Sequence, residues 1–272
     1  MIKDERGDIE YEECGRGPTI VLTPGSCSTG AAWRPVITTW NGQFRCVTTS
    51  LLGYGRTIER RTAHDTSISH EVDVLELVIR KAGGPVHLVG HSFDGLVALA
   101  LAVALADRVP LASLVILEAP VMELLREKGE HRHYRAFRRM TEGYFADFAD
   151  GNTEAIAAMI DFYGGAGTFA SWLPRVSAYA IKTTAVNILD WESGYSFPLP
   201  PAVLAALGVP TLIVRGGASH PAAYRANTLL GETMRRVVTA TIDGAAHFMI
   251  STHADKVGQL IAEHLHRVEM GR

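Results

Sequence analysis

Cysteine is scarce in this 272-residue chain: there are three, Cys14, Cys27 and Cys46, an odd number without CxxC spacing. That excludes a disulfide framework and makes a reducing cytoplasm the expected compartment. An excess of one charge is also lacking, since 26 Lys and Arg against 29 Asp and Glu give a formal net charge of −3. No electrostatic footprint for nucleic acid results, and the one basic run, RHYRAFRR at 132–139, reads as a solvated helix face. Long hydrophobic runs are missing as well. The longest apolar stretch, 96–106, falls short of the roughly 20 residues that cross a bilayer. The opening MIKDERGDIE lacks the apolar core of a signal peptide, so neither export nor a membrane partner is expected. Neither H-E-x-x-H, nor clustered Cys and His, nor G-x-G-x-x-G between a strand and a helix occurs, so no metal and no cofactor are expected.

What is present is an ordinary globular composition, 47% apolar and 20% charged, with enough length for one large α/β domain carrying an insertion. Runs rich in β-branched residues recur at 19–23, 46–49, 86–89, 113–117, 209–214 and 237–242. Helix-period segments lie between several of them, at 69–81, 96–106, 222–230 and 255–266. This alternation predicts an α/β fold, a mostly parallel sheet with helices on both faces. It lapses over 121–205, where helices are expected at 121–140, 153–162 and 172–189. The division expected is a core of 1–120 and 206–272 with a helical cap at 121–205.

The segment VHLVGHSFDGLVALALAVAL runs from a buried strand through a Gly/Ser turn into an Ala- and Leu-rich helix. Such a turn lifts the Ser92 hydroxyl above the sheet, which suits a nucleophile. The pattern departs from G-x-S-x-G in one place: Asp94 stands where a small residue is expected, and the glycine arrives at Gly95. The blander alternative is that Ser92 only caps the helix. A serine nucleophile needs a base, and of the eleven histidines His247 is the one on a loop after the last predicted strand, in GAAHFM. His131, His133, His264 and His266 sit in charged helical surroundings and are expected to be exposed. His91 should point away from the nucleophile.

These segments resemble the α/β-hydrolase superfamily across nearly the whole chain: LTPGSCSTGAAW is similar to its oxyanion loop with Pro-Gly for the usual His-Gly, and LLGYGRT, GHSFDG and GAAHFM resemble its turn, elbow and histidine loop. The resemblance implies a cap inserted after the sixth strand. It also implies a catalytic acid, in most of the family an Asp after the strand that reads VPTLIVRGG here. This chain continues Ala218-Ser219-His220, so that carboxylate is absent. Some relatives carry the acid after the strand preceding the insertion, which ends here in Glu118; the longer side chain suits the reach, and Glu118 is the expected acid, with Asp94 the runner-up.

An acyl-transfer intermediate needs two N–H donors. Phe93 fits the first and Ser26 the second, with Cys27 the alternative if the loop is shifted by one. Trp33 is a candidate wall of the substrate site, as are some aromatics of the insertion. The function expected is hydrolysis of a small, largely apolar carboxylic ester, thioester or lactone through an acyl-enzyme on Ser92. The alternatives are an inert binding protein on the same fold, motivated by Asp94 and Ala218, or C–C cleavage or perhydrolysis with the same residues. The expected partner is a small-molecule substrate, and a homodimer stays open.

Overall fold

Seven strands make one sheet: β1 (Glu12–Cys14), β2 (Thr19–Thr23), β3 (Arg45–Thr48), β4 (Val86–His91), β5 (Leu111–Leu117), β6 (Thr211–Gly216) and β7 (Val237–Ile242). The computed structural model describes residues 1–105 and 108–271. The strand order is β1-β3-β2-β4-β5-β6-β7, with β1 antiparallel to β3 and every other pair parallel. Six strands coincide with the expected runs. β1 was not expected, because three exposed residues, EEC, carry no period-2 apolar signal.

Side-chain alternation along the strands makes two cores. Val21, Leu88, Leu114, Ile116 and Ile213 face one, under the helices Ser69–Ala82, Phe93–Ala104 and Pro221–Thr233. Ile20, Leu22, Val89, Val115, Leu117, Leu212 and Val214 face the other, under Arg34–Thr39 and Ala254–Met270. The strands β2, β4, β5 and β6 are therefore apolar on both faces, as expected. β7 is half-covered at the sheet edge, with Val238 45% exposed. The helix expected at 96–106 spans Phe93–Ala104; Ala106 lies outside the described residues.

Between β5 and β6 the chain makes only helices, from Met122–Glu127 to Pro201–Ala206. In chain order they follow the fifth strand rather than the sixth, since a single strand precedes β2. The expected helix at 121–140 is two, Met122–Glu127 and His131–Ala149, separated at Gly129, whose φ is 76°. That at 172–189 is also two, Pro174–Lys182 and Thr184–Ser196, broken at Thr183, whose hydroxyl bonds back to the Tyr179 carbonyl. Among the described residues no helix is long and apolar enough to cross a membrane.

The parallel register sets the site. His91 pairs with Leu117 and Leu117 with Val214, so the residues that follow, Ser92 and Glu118, leave the sheet side by side at its C-terminal edge. That edge is where open α/β sheets bind ligands.

Candidate active site

Ser92 sits at the junction of β4 and the helix Phe93–Ala104 with φ 56° and ψ −129°, a conformation that few non-glycine residues adopt. Its N–H is held by the Leu117 carbonyl at 2.8 Å. Its side chain makes no helix-capping bond, so the capping alternative fails. Crowding makes the glycines of the turn obligatory. A methyl group at Gly90 would lie 2.5 Å from the Asp94 carbonyl oxygen, and one at Gly25 would lie 2.6 Å from Ser92 Cβ. The oxyanion-like loop is thus in contact with the serine.

His247 lies 2% exposed on the loop after β7. Its Nδ1 is 2.9 Å from Glu118 Oε2 and its Nε2 is 2.8 Å from Ser92 Oγ. A carboxylate only accepts, so the proton sits on Nδ1 and the Ser92 hydroxyl donates to Nε2. Glu118 is 1% exposed and has φ 48°; the Gly216 N–H donates to its Oε1 at 2.7 Å. Burial alone would raise the Glu118 pKa, but the hydrogen bonds from His247 and the Gly216 N–H hold it below the usual carboxylate range. Of the four non-glycine residues with positive φ among the described residues, Cys27, Ser92 and Glu118 belong to this site. Backbone strain gathers at functional sites, and this cluster has that distribution.

Two further histidines are buried. His91 packs against the histidine loop: its Nε2–H donates to the His247 carbonyl at 2.8 Å, and the two rings lie 4.8 Å apart. Burial, with His247 alongside, draws its pKa down to about 3, so it props the histidine loop as a neutral ring. His264 is 3% exposed rather than solvated, because that face of the helix Ala254–Met270 packs on the sheet.

Both ring nitrogens of His247 are taken by Glu118 and Ser92, so Asp94, the alternative acid, is not its partner. Burial pushes its carboxyl well above the usual range, and the nearby Glu71 adds to the effect. An unfolded Asp ionises near pH 4 and the folded one, with its pKa raised, ionises only at higher pH, so its cost to stability grows as pH rises above that value. Asp94→Asn is expected to keep kcat within about twofold and to gain stability over the native chain between pH 4 and pH 8. Thermal unfolding across that range checks it; a tenfold loss of activity, or an advantage that shrinks with pH, contradicts it.

The polar cluster beside the site escaped the sequence reading. Arg61, with a fully buried guanidinium, bonds Glu59 at 2.8 Å and Asp190 at 2.8 Å and lies 3.5 Å from Glu71. Burial raises the Glu71 pKa to about 8, although Arg61 works against it. Asp190 also accepts from Ser26 Oγ at 2.5 Å and Tyr54 OH at 2.8 Å. A signal was available on the helix Thr184–Ser196: Asn187, Asp190, Trp191 and Gly194 repeat at i, i+3, i+4 and i+7, a core-facing stripe with polar members.

Ser26 and Asp190 line a cavity of about 830 Å³ together with Ser92, Phe93 and His247. Tyr163, Trp172, Trp191 and Phe248 form aromatic walls, and exposed Arg175 stands at the rim. The Tyr163 ring lies over His247 with centroids 4.1 Å apart. Trp33 is not a wall. It is fully buried in the core on the opposite face of the sheet, because the tight 3-10 turn Gly30–Trp33 rotates about 120° per residue and presents Ala31 and Ala32 to the cavity instead. Phe93 opens its helix, so its N–H has no carbonyl one turn back. Ser26 and Cys27 both line the cavity; burial pushes the Cys27 thiol up to about 12. Among the described residues no group of three or more His, Cys, Asp or Glu is placed to hold a metal ion.

Residues 20–260 match the family model described as the alpha/beta hydrolase family. Haloalkane dehalogenase 2 of Mycobacterium bovis is 32% identical over 105 residues, 38% of this chain and 36% of that protein, so the match spans about a third of the relative's length. A putative non-heme chloroperoxidase of Synechocystis sp. is 25% identical over 271 residues, 95% of each chain. Among solved structures, a thermophilic esterase from Thermogutta terrifontis superposes with a TM-score of 0.71 at 21% identity, covering 96% of this chain and 93% of that one.

Proposed function

The chain belongs to the alpha/beta hydrolase family, and from that premise we propose that it hydrolyses a small, largely apolar carboxylic ester, thioester or lactone through an acyl-enzyme on Ser92. The observation that carries this reading is the unbroken hydrogen-bonded chain from Ser92 Oγ through His247 to Glu118. Ser92 Oγ attacks the acyl carbon while His247 Nε2 takes its proton. Glu118 keeps the imidazole in the required tautomer and balances the imidazolium. The N–H groups of Phe93 and Ser26 receive the oxyanion. His247 returns the proton to the leaving group, and water repeats the sequence on the acyl-enzyme, releasing the acid. The helices of 121–205 act as a cap over the core of 1–120 and 206–272, and their aromatic rings exclude bulk water from the reaction.

Alkyl halide displacement, suggested by the name of the mycobacterial relative, does not suit a serine at position 92. Attack by Ser92 would leave an ether, which has no carbonyl for water to attack. The similarity to a chloroperoxidase favours a second reading, in which hydrogen peroxide replaces water at deacylation and a peracid leaves. Both run through the same acyl-enzyme.

A fluorophosphonate probe separates these readings from an inert binding protein. The native chain is expected to be labelled at Ser92, as read by peptide mass spectrometry, and to give a burst with short-chain p-nitrophenyl esters. Absence of both label and turnover across an ester, thioester and lactone panel would overturn the hydrolase assignment.

A further inference from the structure

Asp190 is 2% exposed on the helix Thr184–Ser196, yet it reaches into the loop beside the nucleophile. Both carboxylate oxygens are used by the protein. Oδ2 accepts from Ser26 Oγ and Tyr54 OH, and Oδ1 accepts from the Arg61 guanidinium. A buried carboxylate persists only when it is this fully paired. With its acceptor sites engaged, Asp190 is not shaped as a ligand for substrate.

The other end of the Ser26 bond is a strained loop. Cys27, the next residue, has φ 57°, a conformation that is strained for a non-glycine residue and survives only where the surroundings over-determine it. One residue earlier, Gly25 is in contact with Ser92, where an added methyl group would come within 3.3 Å of the nucleophilic oxygen. The peptide between these two points carries the Ser26 N–H. Its direction is set by the Gly25 contact on one side and by the Ser26–Asp190 bond on the other.

We propose that Asp190 is a positioning residue. Through the Ser26 hydroxyl it aims the Ser26 N–H at the oxyanion, so that seating the helix Thr184–Ser196 over the cavity and completing the oxyanion hole are one event. The inference rests on the acyl-enzyme reading above and adds a residue that touches none of the reacting atoms.

Ser26→Ala is the sharpest test, because it keeps the backbone N–H and removes only the hydroxyl. Loss of a whole oxyanion donor costs about 10²–10³-fold in kcat; misdirecting one is expected to cost about 10- to 100-fold, with KM changed by less than about threefold. Rates are referred to the burst titre of active sites. A merely structural role lowers that titre or the melting temperature and leaves kcat per site unchanged. Ser26→Thr, which restores a hydroxyl, is expected to recover most of the rate. Asp190→Asn is expected to behave like Ser26→Ala, and adding Ser26→Ala to it should lower kcat no further. Native kcat per site in Ser26→Ala overturns the proposal, whether or not Asp190→Asn folds. Failure of the acyl-enzyme reading itself shows differently, as a native chain with neither burst nor label.

Discussion

Ser92→Ala is expected to lower kcat on a p-nitrophenyl ester by about 10⁶-fold, the scale of removing the nucleophile from a comparable serine site, while leaving substrate affinity nearly unchanged. The size follows from what the residue supplies. Alanine has no Oγ, so no acyl-enzyme forms, and His247 Nε2, 2.8 Å from that oxygen in the native chain, has no proton to take. What remains is the cavity of about 830 Å³ and the two proposed N–H donors, which are expected to bind and polarise an ester without attacking it. Steady-state turnover and binding of an unreactive amide analogue together check this. Retention of more than a hundredth of native kcat would place the nucleophile elsewhere, because nothing but Oγ is lost from an otherwise intact site.

Glu118→Gln is the more informative change. It is nearly isosteric, and its expected loss of up to about 10⁴-fold in kcat comes from a tautomer rather than a cavity. In the native chain the Gly216 N–H donates to Oε1 at 2.7 Å and His247 Nδ1 donates to Oε2 at 2.9 Å. A glutamine has only one acceptor oxygen. The fixed Gly216 donor claims it, which turns the amide NH₂ towards His247. Nδ1 must then accept, the ring proton moves to Nε2, and Nε2 can no longer take the Ser92 proton. Removing the Gly216 donor is not feasible, so Glu118→Asp is the useful companion: it keeps two acceptors but shortens the reach, and a smaller loss than for glutamine is expected. Ala218→Asp, at the position where most of the family would place the acid, is expected to change little in the native background. A loss of less than tenfold in Glu118→Gln moves the acid elsewhere.

The elements around these residues were legible in the sequence because their signals are local. The buried strand that ends at Ser92, the Ala- and Leu-rich helix after it and the loop holding His247 each announce themselves within a dozen residues. Glu118 was accessible by a weaker route, as the charge that ends an apolar strand. Its partnership with His247 depends on the parallel register of β4, β5 and β6, which brings the strand ends to one edge. Trp33 shows the opposite limit. Nearness in sequence to the oxyanion-like loop suggested a cavity wall, but a 3-10 turn decides which face a side chain takes, and it took the far core.

By itself the sequence determined the sheet, the elbow, the loop histidine and a carboxylate at residue 118, since periodicity and turn chemistry are written in neighbouring positions. Tertiary structure alone decided which groups share a charge. It brought Arg61, Glu71 and Asp190 from three separate segments into one buried cluster. It buried Asp94 and raised its pKa, and it set Ser26 on Asp190 across 164 positions of chain. The physical reason is range: helix and strand patterns are fixed by contacts a few residues apart, whereas desolvation and ion pairing depend on what packing removes from water.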